Sequence, residues 1–299
     1  MFIGIPFHGS VADLASLVIH SDPVLIARLE RAEAELQRRW AEAVARTRSF
    51  PAAWTDLPCG GVAVDKGPDV VWSRAYTLAL GAEPVARDEV EDAVDQAEVF
   101  FAAHGKPARI DLGPTADPTL MAVLRERRYS VVMYDTILAM TDVQSARTHT
   151  LHAHEPRGSV VIQRARDMRA WAERLVESFV AGGPPEDVHD GMVEKLAGFE
   201  GVEGVTCLDA IVDGEPAGGS FIAVIDGVAL LHSAGTLPAY RGRGVQRALL
   251  VERARIAHEA GAEFLCAQAD SRNAASLRNM ERFGLRPCCS RVTVEAPGA

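Results

Sequence analysis

The stretch LPAYRGRGVQRALL, Leu237 to Leu250, sets Gly242 and Gly244 among Arg241, Arg243 and Arg247, where a strand-like run gives way to a helix-like one. A strand passing through a glycine turn into a helix leaves several backbone N–H groups unpaired beside the positive end of the helix dipole. Glycine lets that backbone approach a cluster of oxygens without a Cβ in the way, and guanidinium groups add charge-assisted hydrogen bonds. The chemistry available to such a turn is the capture of an anion, and a diphosphate suits it. The same letters also describe a plain solvated Gly-Arg-Gly turn, so the surrounding elements have to decide.

Those elements alternate. From Pro23, Leu25, Leu29, Leu36 and Trp40 recur at helical spacing up to about Arg46. Strand-like runs follow at GGVAVD and DVVWSRAYTLAL, then a helix from about Asp88 to His104, stopped by Gly105 and Pro107. ARIDLG reads as a buried strand, PTLMAVLRERR as a helix and YSVVMYDTILAM as a closing strand. The polar segment from Thr141 to Ser159 has no apolar period and reads as a linker between domains at 1–145 and 158–299. The second half runs strand (SVVIQRA), helix (MRAWAERLVESFV), helix (about Glu186 to Phe199), then strands separated by turns at Gly214 and at Asp226-Gly227. After the glycine turn come a helix with Val245, Leu249 and Ile256 on its inner face, a strand, a helix closed by Gly284 and a last strand. Each half ends in strand, helix, strand, helix, strand. Leu124 and Met280 stand 156 residues apart, and that offset keeps the flanking strands in register, which points to a duplicated fold.

From TLPAYRGRGVQRALL through ADSRNAASLRNMERFGLRP the second half resembles the GCN5-related N-acetyltransferase (GNAT) superfamily. The signature of that superfamily, Arg/Gln-x-x-Gly-x-Gly/Ala on the turn after its fourth strand, appears as Arg241-x-x-Gly244-x-Gln246. Pro238 before the turn, the asparagine-led helix beyond it and Phe283-Gly284 also stand where the superfamily has them, and the resemblance runs from about Val160 to Val294. It implies an α/β (α+β) fold of two GNAT-like domains, each a mixed, mostly antiparallel sheet flanked by helices. It further implies that Arg241, Gly242, Arg243, Gly244, Val245, Gln246 and Arg247 cradle the pyrophosphate of acetyl-CoA or another acyl-CoA. Ala234, Gly235 and Thr236 would pair their backbone with the pantetheine arm as if it were an added strand. Asn273 would make a polar contact to that arm or serve as an ordinary helix N-cap, with Ser276 as a weaker neighbour.

Two departures stand out. Gln246 replaces the small residue that ends the signature, and Met280 takes the place where many members carry a tyrosine that protonates the departing thiolate, which a thioether cannot do. The implied reaction is direct attack of an amine on the thioester. An alkyl ammonium has a pKa of about 10.4, so a base or water must remove a proton first. The candidates are His232, Asp209 and Glu177, and a backbone N–H near Thr236 could hold the oxyanion. Offsetting the signature by 156 lands on Val85 to Val90, VARDEV, which has no glycine and carries Asp88 and Glu89. A phosphate is repelled there, so the first half is expected to have lost the cofactor and to serve as platform, lid or acceptor wall.

Composition narrows the rest. At 299 residues, 48% hydrophobic and 24% charged, the chain is an ordinary globular sequence, and its net charge of −10 opposes broad nucleic-acid binding. Five cysteines suggest reduced thiols and a cytoplasmic protein, and no apolar run approaches the roughly 20 residues of a membrane span. Cys288 and Cys289 read as a buried thiol beside a surface one, Arg253 and Arg255 as a solvated face, and the alternate histidines of His152–Glu155 lack a second ligand cluster for a metal. The expected partner is a small-molecule or peptide amine, with the chain a monomer or homodimer. Three alternatives remain: a carrier-protein donor, an aminoacyl-tRNA donor, or a non-catalytic acyl-CoA-binding module.

Overall fold

The computed structural model describes residues 22–47, 51–67, 72–80, 84–143, 160–179 and 186–298. The first half contains α1 (Pro23–Thr47), β1 (Ala53–Leu57), β2 (Gly61–Asp65), β3 (Arg74–Tyr76), α2 (Arg87–Ala103), β4 (Arg109–Leu112), α3 (Pro118–Glu126) and β5 (Ser130–Met140). The second contains β6 (Val160–Arg164), α4 (Met168–Phe179), α5 (Glu186–Ala197), β7 (Val205–Val212), β8 (Glu215–Ile225), β9 (Val228–Thr236), α6 (Val245–Glu259), β10 (Phe264–Asp270), α7 (Ala274–Phe283) and β11 (Arg286–Glu295). The linker expected at Thr141–Ser159 and the His152–Glu155 stretch lie largely or wholly outside the described residues.

The strands join in one sheet, in the order β1-β2-β3-β4-β11-β5-β10-β9-β8-β7-β6. Only β3–β4 and β9–β10 are parallel, each pair bridged by one crossover helix, α2 or α6. Two-residue turns at Asp213-Gly214 and Asp226-Gly227, all four residues at positive φ, set the register of the β7–β8 and β8–β9 hairpins.

The 156-residue offset is visible in the coordinates. It carries α3, at Pro118–Glu126, onto α7, at Ala274–Phe283, and β5, at Ser130–Met140, onto β11, at Arg286–Glu295. The last strands are exchanged: β5 pairs with β10 of the second half, and β11 pairs with β4 of the first. At the seam β5 and β11 run antiparallel, with Ser130 opposite Glu295 and Arg286 opposite Ala139, pairs that the offset converts into one another. Asp135 lies opposite Arg291, its own counterpart, so this pair marks a local two-fold axis in the middle of the sheet.

One face of the sheet is covered by α1, α4 and α5 and the other by α2 and α3 at one end and α6 and α7 at the other. Helix α1 follows Asp22, whose carboxylate accepts from Val24 N at 2.8 Å, and the expected Leu25, Leu29, Leu36 and Trp40 are all buried. It packs across the seam, on β1 to β3 and also on β8 and β9. Beneath it the apolar face is interrupted by a buried polar band. Arg74 reaches Asp111 at 3.2 Å, Thr293 donates to Asp111 at 2.7 Å, and Gln268 donates to Asp135 at 2.7 Å. Arg291 donates to Gln268 at 2.6 Å and to both oxygens of Glu30 at 3.1 and 3.3 Å.

Some local expectations change. Ala53–Leu57 is a strand that the sequence pattern did not suggest, and among the described residues of DVVWSRAYTLAL the strand is Arg74–Tyr76. Thr77 and Ala79 adopt positive φ and turn the chain out of the ladder. Arg253 is buried, not solvated: it shares the inward face of α6 with Leu249, Leu250 and Ala257. Its Nε and Nη1 donate to the carbonyls of Leu249 and His232, at 3.2 and 3.4 Å. Burial lowers this guanidinium to about 9. Cys288 is buried and Cys289 is half-buried.

Candidate functional site

The turn between β9 and α6 takes the form its composition requires. A short 3-10 turn at Pro238–Tyr240 leads into Gly242 and Gly244, at φ 76° and 86°, the left-handed region that only glycine enters without strain. A Cβ on Gly242 would meet nothing within 4 Å, so its conformation, and not crowding, calls for glycine. Gly244 is the N-cap of α6 and supplies no side chain, and the first helical bond is Ala248 N to Gly244 O at 3.0 Å. The amides of Val245, Gln246 and Arg247 are therefore left without helical acceptors.

These amides open on a cleft of about 880 Å³ lined by β9, the turn, α6, α7 and the end of α4. It exists because β9 and β10 part company: their last paired residues are Leu231 and Ala267. Beyond that point β9 carries a bulge, with Ser233 at φ 45° and a register shift between Gly219/Gly235 and Phe221/His232. Leu237 N donates to Ala217 O at 2.9 Å, so by ladder alternation the N–H and C=O of Thr236 face away from β8, toward the side that β10 has vacated. Thr236 Oγ1 is enclosed and has no partner among the described residues. Gly235 sits against α4, where an added Cβ would fall 1.7 Å from Ser178 Oγ.

Of the residues singled out from sequence, Ala234, Gly235, Thr236, Arg241, Gly242, Gly244, Val245, Gln246, Arg247, Asn273 and Ser276 line this cleft. Arg243 does not: it pairs with Asp213 at 2.5 Å. Arg241 lines the cleft but also braces the turn, donating to the carbonyls of Thr236 at 3.4 Å and Ser178 at 3.2 Å. Asn273 is an N-cap, its Oδ1 accepting from Ser276 N at 3.1 Å, which leaves its amide hydrogens for the cleft. Met280 is buried in the core behind α7. Sequence reasoning missed Tyr240, Asn279 and Arg282. Ser276, Asn279 and Arg282 form an i, i+3, i+6 polar stripe opposite Leu277, Met280 and Phe283, a pattern that could have found them. Among the described residues no carboxylate lines the cleft, and Arg247 and Arg282 face it from two helices.

None of the three candidate bases is a lining residue. Asp209 is engaged by Arg174 at 2.5 Å, and Glu177 is exposed on α4. His232 lies one residue past the last β9–β10 pair, on the sheet face beneath α1. Its Nε2 is 2.9 Å from Glu33 Oε2, and its ring is stacked on Phe221 with centroids 5.1 Å apart and planes 10° apart.

At the corresponding place in the first half, the two chain segments are bridged. Leu80 and Ala116, which stand 156 residues before Thr236 and Arg272, form an antiparallel bridge, and Asp117, the counterpart of Asn273, caps α3 through Thr119 N at 2.7 Å. Helix α2, the counterpart of α6, has Asp88 and Glu89 in its first turn.

The profile of the Acetyltransferase (GNAT) family matches residues 168–285. Among solved structures, a GCN5-related N-acetyltransferase from Kribbella flavida is similar at 21% identity, over 92% of this chain and 96% of that one, with a TM-score of 0.60. A tandem GNAT protein from the clavulanic acid biosynthesis pathway is similar at 14% identity, over 89% and 96%, with a TM-score of 0.58. A GCN5-related N-acetyltransferase from Sphaerobacter thermophilus is similar at 17% identity, over 94% and 96%, with a TM-score of 0.53. None of the curated proteins matches the chain. Among the described residues, no helix is long and apolar enough to cross a membrane, and no group of three or more His, Cys, Asp or Glu could hold a metal ion.

Proposed function

We propose, from the match of residues 168–285 to the Acetyltransferase (GNAT) family, that the chain transfers an acyl group, most simply acetyl, from coenzyme A to an amine. The observation that carries this reading is the uncapped start of α6, with three free amides in a cleft that, among the described residues, holds arginines and no carboxylate. The residues present suit an acyl-CoA as substrate. The turn from Gly242 to Arg247 receives the diphosphate, and Arg247 and Arg282 face the anionic end from either side. The outward N–H and C=O of Thr236, with its enclosed hydroxyl, take the amide-bearing arm as a further strand. Each half is read as one GNAT-like unit, split near residues 145–158, with the first unit closed to cofactor by the Leu80–Ala116 bridge.

His232 is the base in this reading. It stands where β9 leaves β10, and Asp209 is already paired with Arg174. Met280 is buried and supplies no acid, so the thiolate leaves to solvent as a tolerable leaving group. The acceptor is an amine bound on the α1 and α4 side of the sheet.

The test is release of free thiol from acetyl-CoA, dependent on added amine, across a panel of small and peptide amines. Binding of coenzyme A without thiol release for any amine would support a non-catalytic binding module instead. The two arginines of the turn separate the donors. Arg247→Ala is expected to weaken coenzyme A binding about tenfold, the loss of one charge-assisted contact. Arg243→Ala, already neutralised by Asp213, is expected to stay within about twofold. Equal affinity in the Arg247 variant and its parent, measured by titration calorimetry, would favour a carrier-protein donor that lacks the adenosine phosphate.

A further inference from the structure

Resting on the reading of His232 as base, we infer that Glu33 of α1 is its positioning carboxylate, so that the first half of the chain completes the active site of the second. The two residues are 199 positions apart in sequence and meet at 2.9 Å, with Glu33 only 6% exposed. An ionised carboxylate only accepts hydrogen bonds, so the ring nitrogen facing it, Nε2, carries the proton. The neutral ring then keeps its lone pair on Nδ1, which has no partner among the described residues. Phe221 fixes the plane of the imidazole by stacking, and Glu33 fixes its rotation and tautomer.

The surroundings hold Glu33 in place and charged. Gln37, one turn along α1, donates to its other oxygen at 2.5 Å. Burial alone would raise its pKa, but the charge of His232 when protonated, the hydrogen bonds from His232 and Gln37 and the charge of Arg291 outweigh burial and hold the carboxyl below the usual range; while the ring is neutral, the two hydrogen bonds and Arg291 remain. Further charges reach the same place from Lys66 at the end of β2 and from Glu30 on α1, while Arg253 approaches the His232 carbonyl from behind β9. Lys66 is itself lowered to about 7 by burial, so it adds little opposing charge above neutrality.

The step balances without any further reactant. The ammonium first releases one proton to solvent; the free amine nitrogen then bonds to the acyl carbon as its N–H proton passes to Nδ1 of His232, and the C–S bond breaks to give the coenzyme A thiolate. The imidazolium, now with a proton on each nitrogen, is stabilised by Glu33 and returns the Nδ1 proton to the thiolate or to solvent. Amide and thiol are the products, and the ring regains its starting tautomer. Glu33 touches neither substrate and acts only through His232.

Two measurements test this. In the unaltered protein, the ¹⁵N signals of His232 above neutral pH should show the Nε2–H tautomer, and an Nδ1–H tautomer overturns the assignment without any variant. In Glu33→Gln, kcat should fall by about 10²-fold or more while the KM for acyl-CoA and the coenzyme A affinity stay within about twofold. A Glu33→Gln enzyme with parental kcat, beside a His232→Ala enzyme that has lost turnover, removes Glu33 from the mechanism and leaves the base in place. Parental turnover in His232→Ala removes the base itself, and this inference with it.

Discussion

Replacing His232 by alanine is expected to lower kcat by about 10²–10⁴-fold and to leave coenzyme A affinity within about twofold. The asymmetry follows from geometry. His232 is outside the cleft lining and stands immediately past Leu231, the last β9 residue paired with β10. The proposed diphosphate cradle begins ten residues later, at Gly242. Its contacts belong to ground-state binding, whereas the proton of the amine is transferred only as the new bond forms. Steady-state kinetics against any responsive amine, with calorimetry on the same preparation, reads both quantities. A variant that loses affinity and turnover together would mean that His232 shapes the cleft and does not act in the chemistry. The carboxylate alternatives are weaker: Asp209 would have to give up Arg174 at 2.5 Å, and Glu177 faces solvent.

The second large effect concerns the seam. Arg291→Met is expected to destabilise the fold by about 3–5 kcal/mol, read as a lowered midpoint in denaturant unfolding. Arg291 is 3% exposed in the central strand pair, bonded to both oxygens of Glu30 and to Gln268, with Asp135 opposite. Burial works against its charge, but Glu30, Asp111 and Glu33 overcome that and hold it well above the ordinary arginine range. Methionine fills much of the volume but leaves Glu30 enclosed without a counter-charge. The double variant Glu30→Gln/Arg291→Met should therefore recover a large part of the loss, because the penalty lies in the orphaned carboxylate. An unchanged midpoint in the single variant would show that the buried pair contributes nothing to the join between halves.

Much of this architecture can be read locally. The helix expected from about Asp88 to His104 is found at Arg87–Ala103, and Gly284, at φ 112°, closes α7 as its position before a strand suggested. The glycine turn was legible because Gly242 and Gly244 have a conformational reason to be glycine, and the duplication because helices and strands recur at a fixed offset. What stayed hidden is long-range. Nothing in the sequence of YSVVMYDTILAM says that it pairs with β10 and not with β4, since its alternation serves either edge equally well. The strand exchange in turn brings α1 over the second half, so Glu33 could not be matched to His232 from residues 199 apart in the chain. Arg253 misled for a related reason: its charge outweighed its helical position, and the acceptors that permit its burial are backbone carbonyls, which a sequence does not display.

The central claim is that the bare N-terminus of α6 holds the diphosphate of a coenzyme A thioester, and that the first half has no second such place. Titration calorimetry of the unaltered chain with coenzyme A tests both parts at once. One equivalent bound per chain, abolished in Gly244→Val, where φ is 86° in the parent, is the predicted result. No heat of binding would contradict the site, and two equivalents would contradict the closed first half.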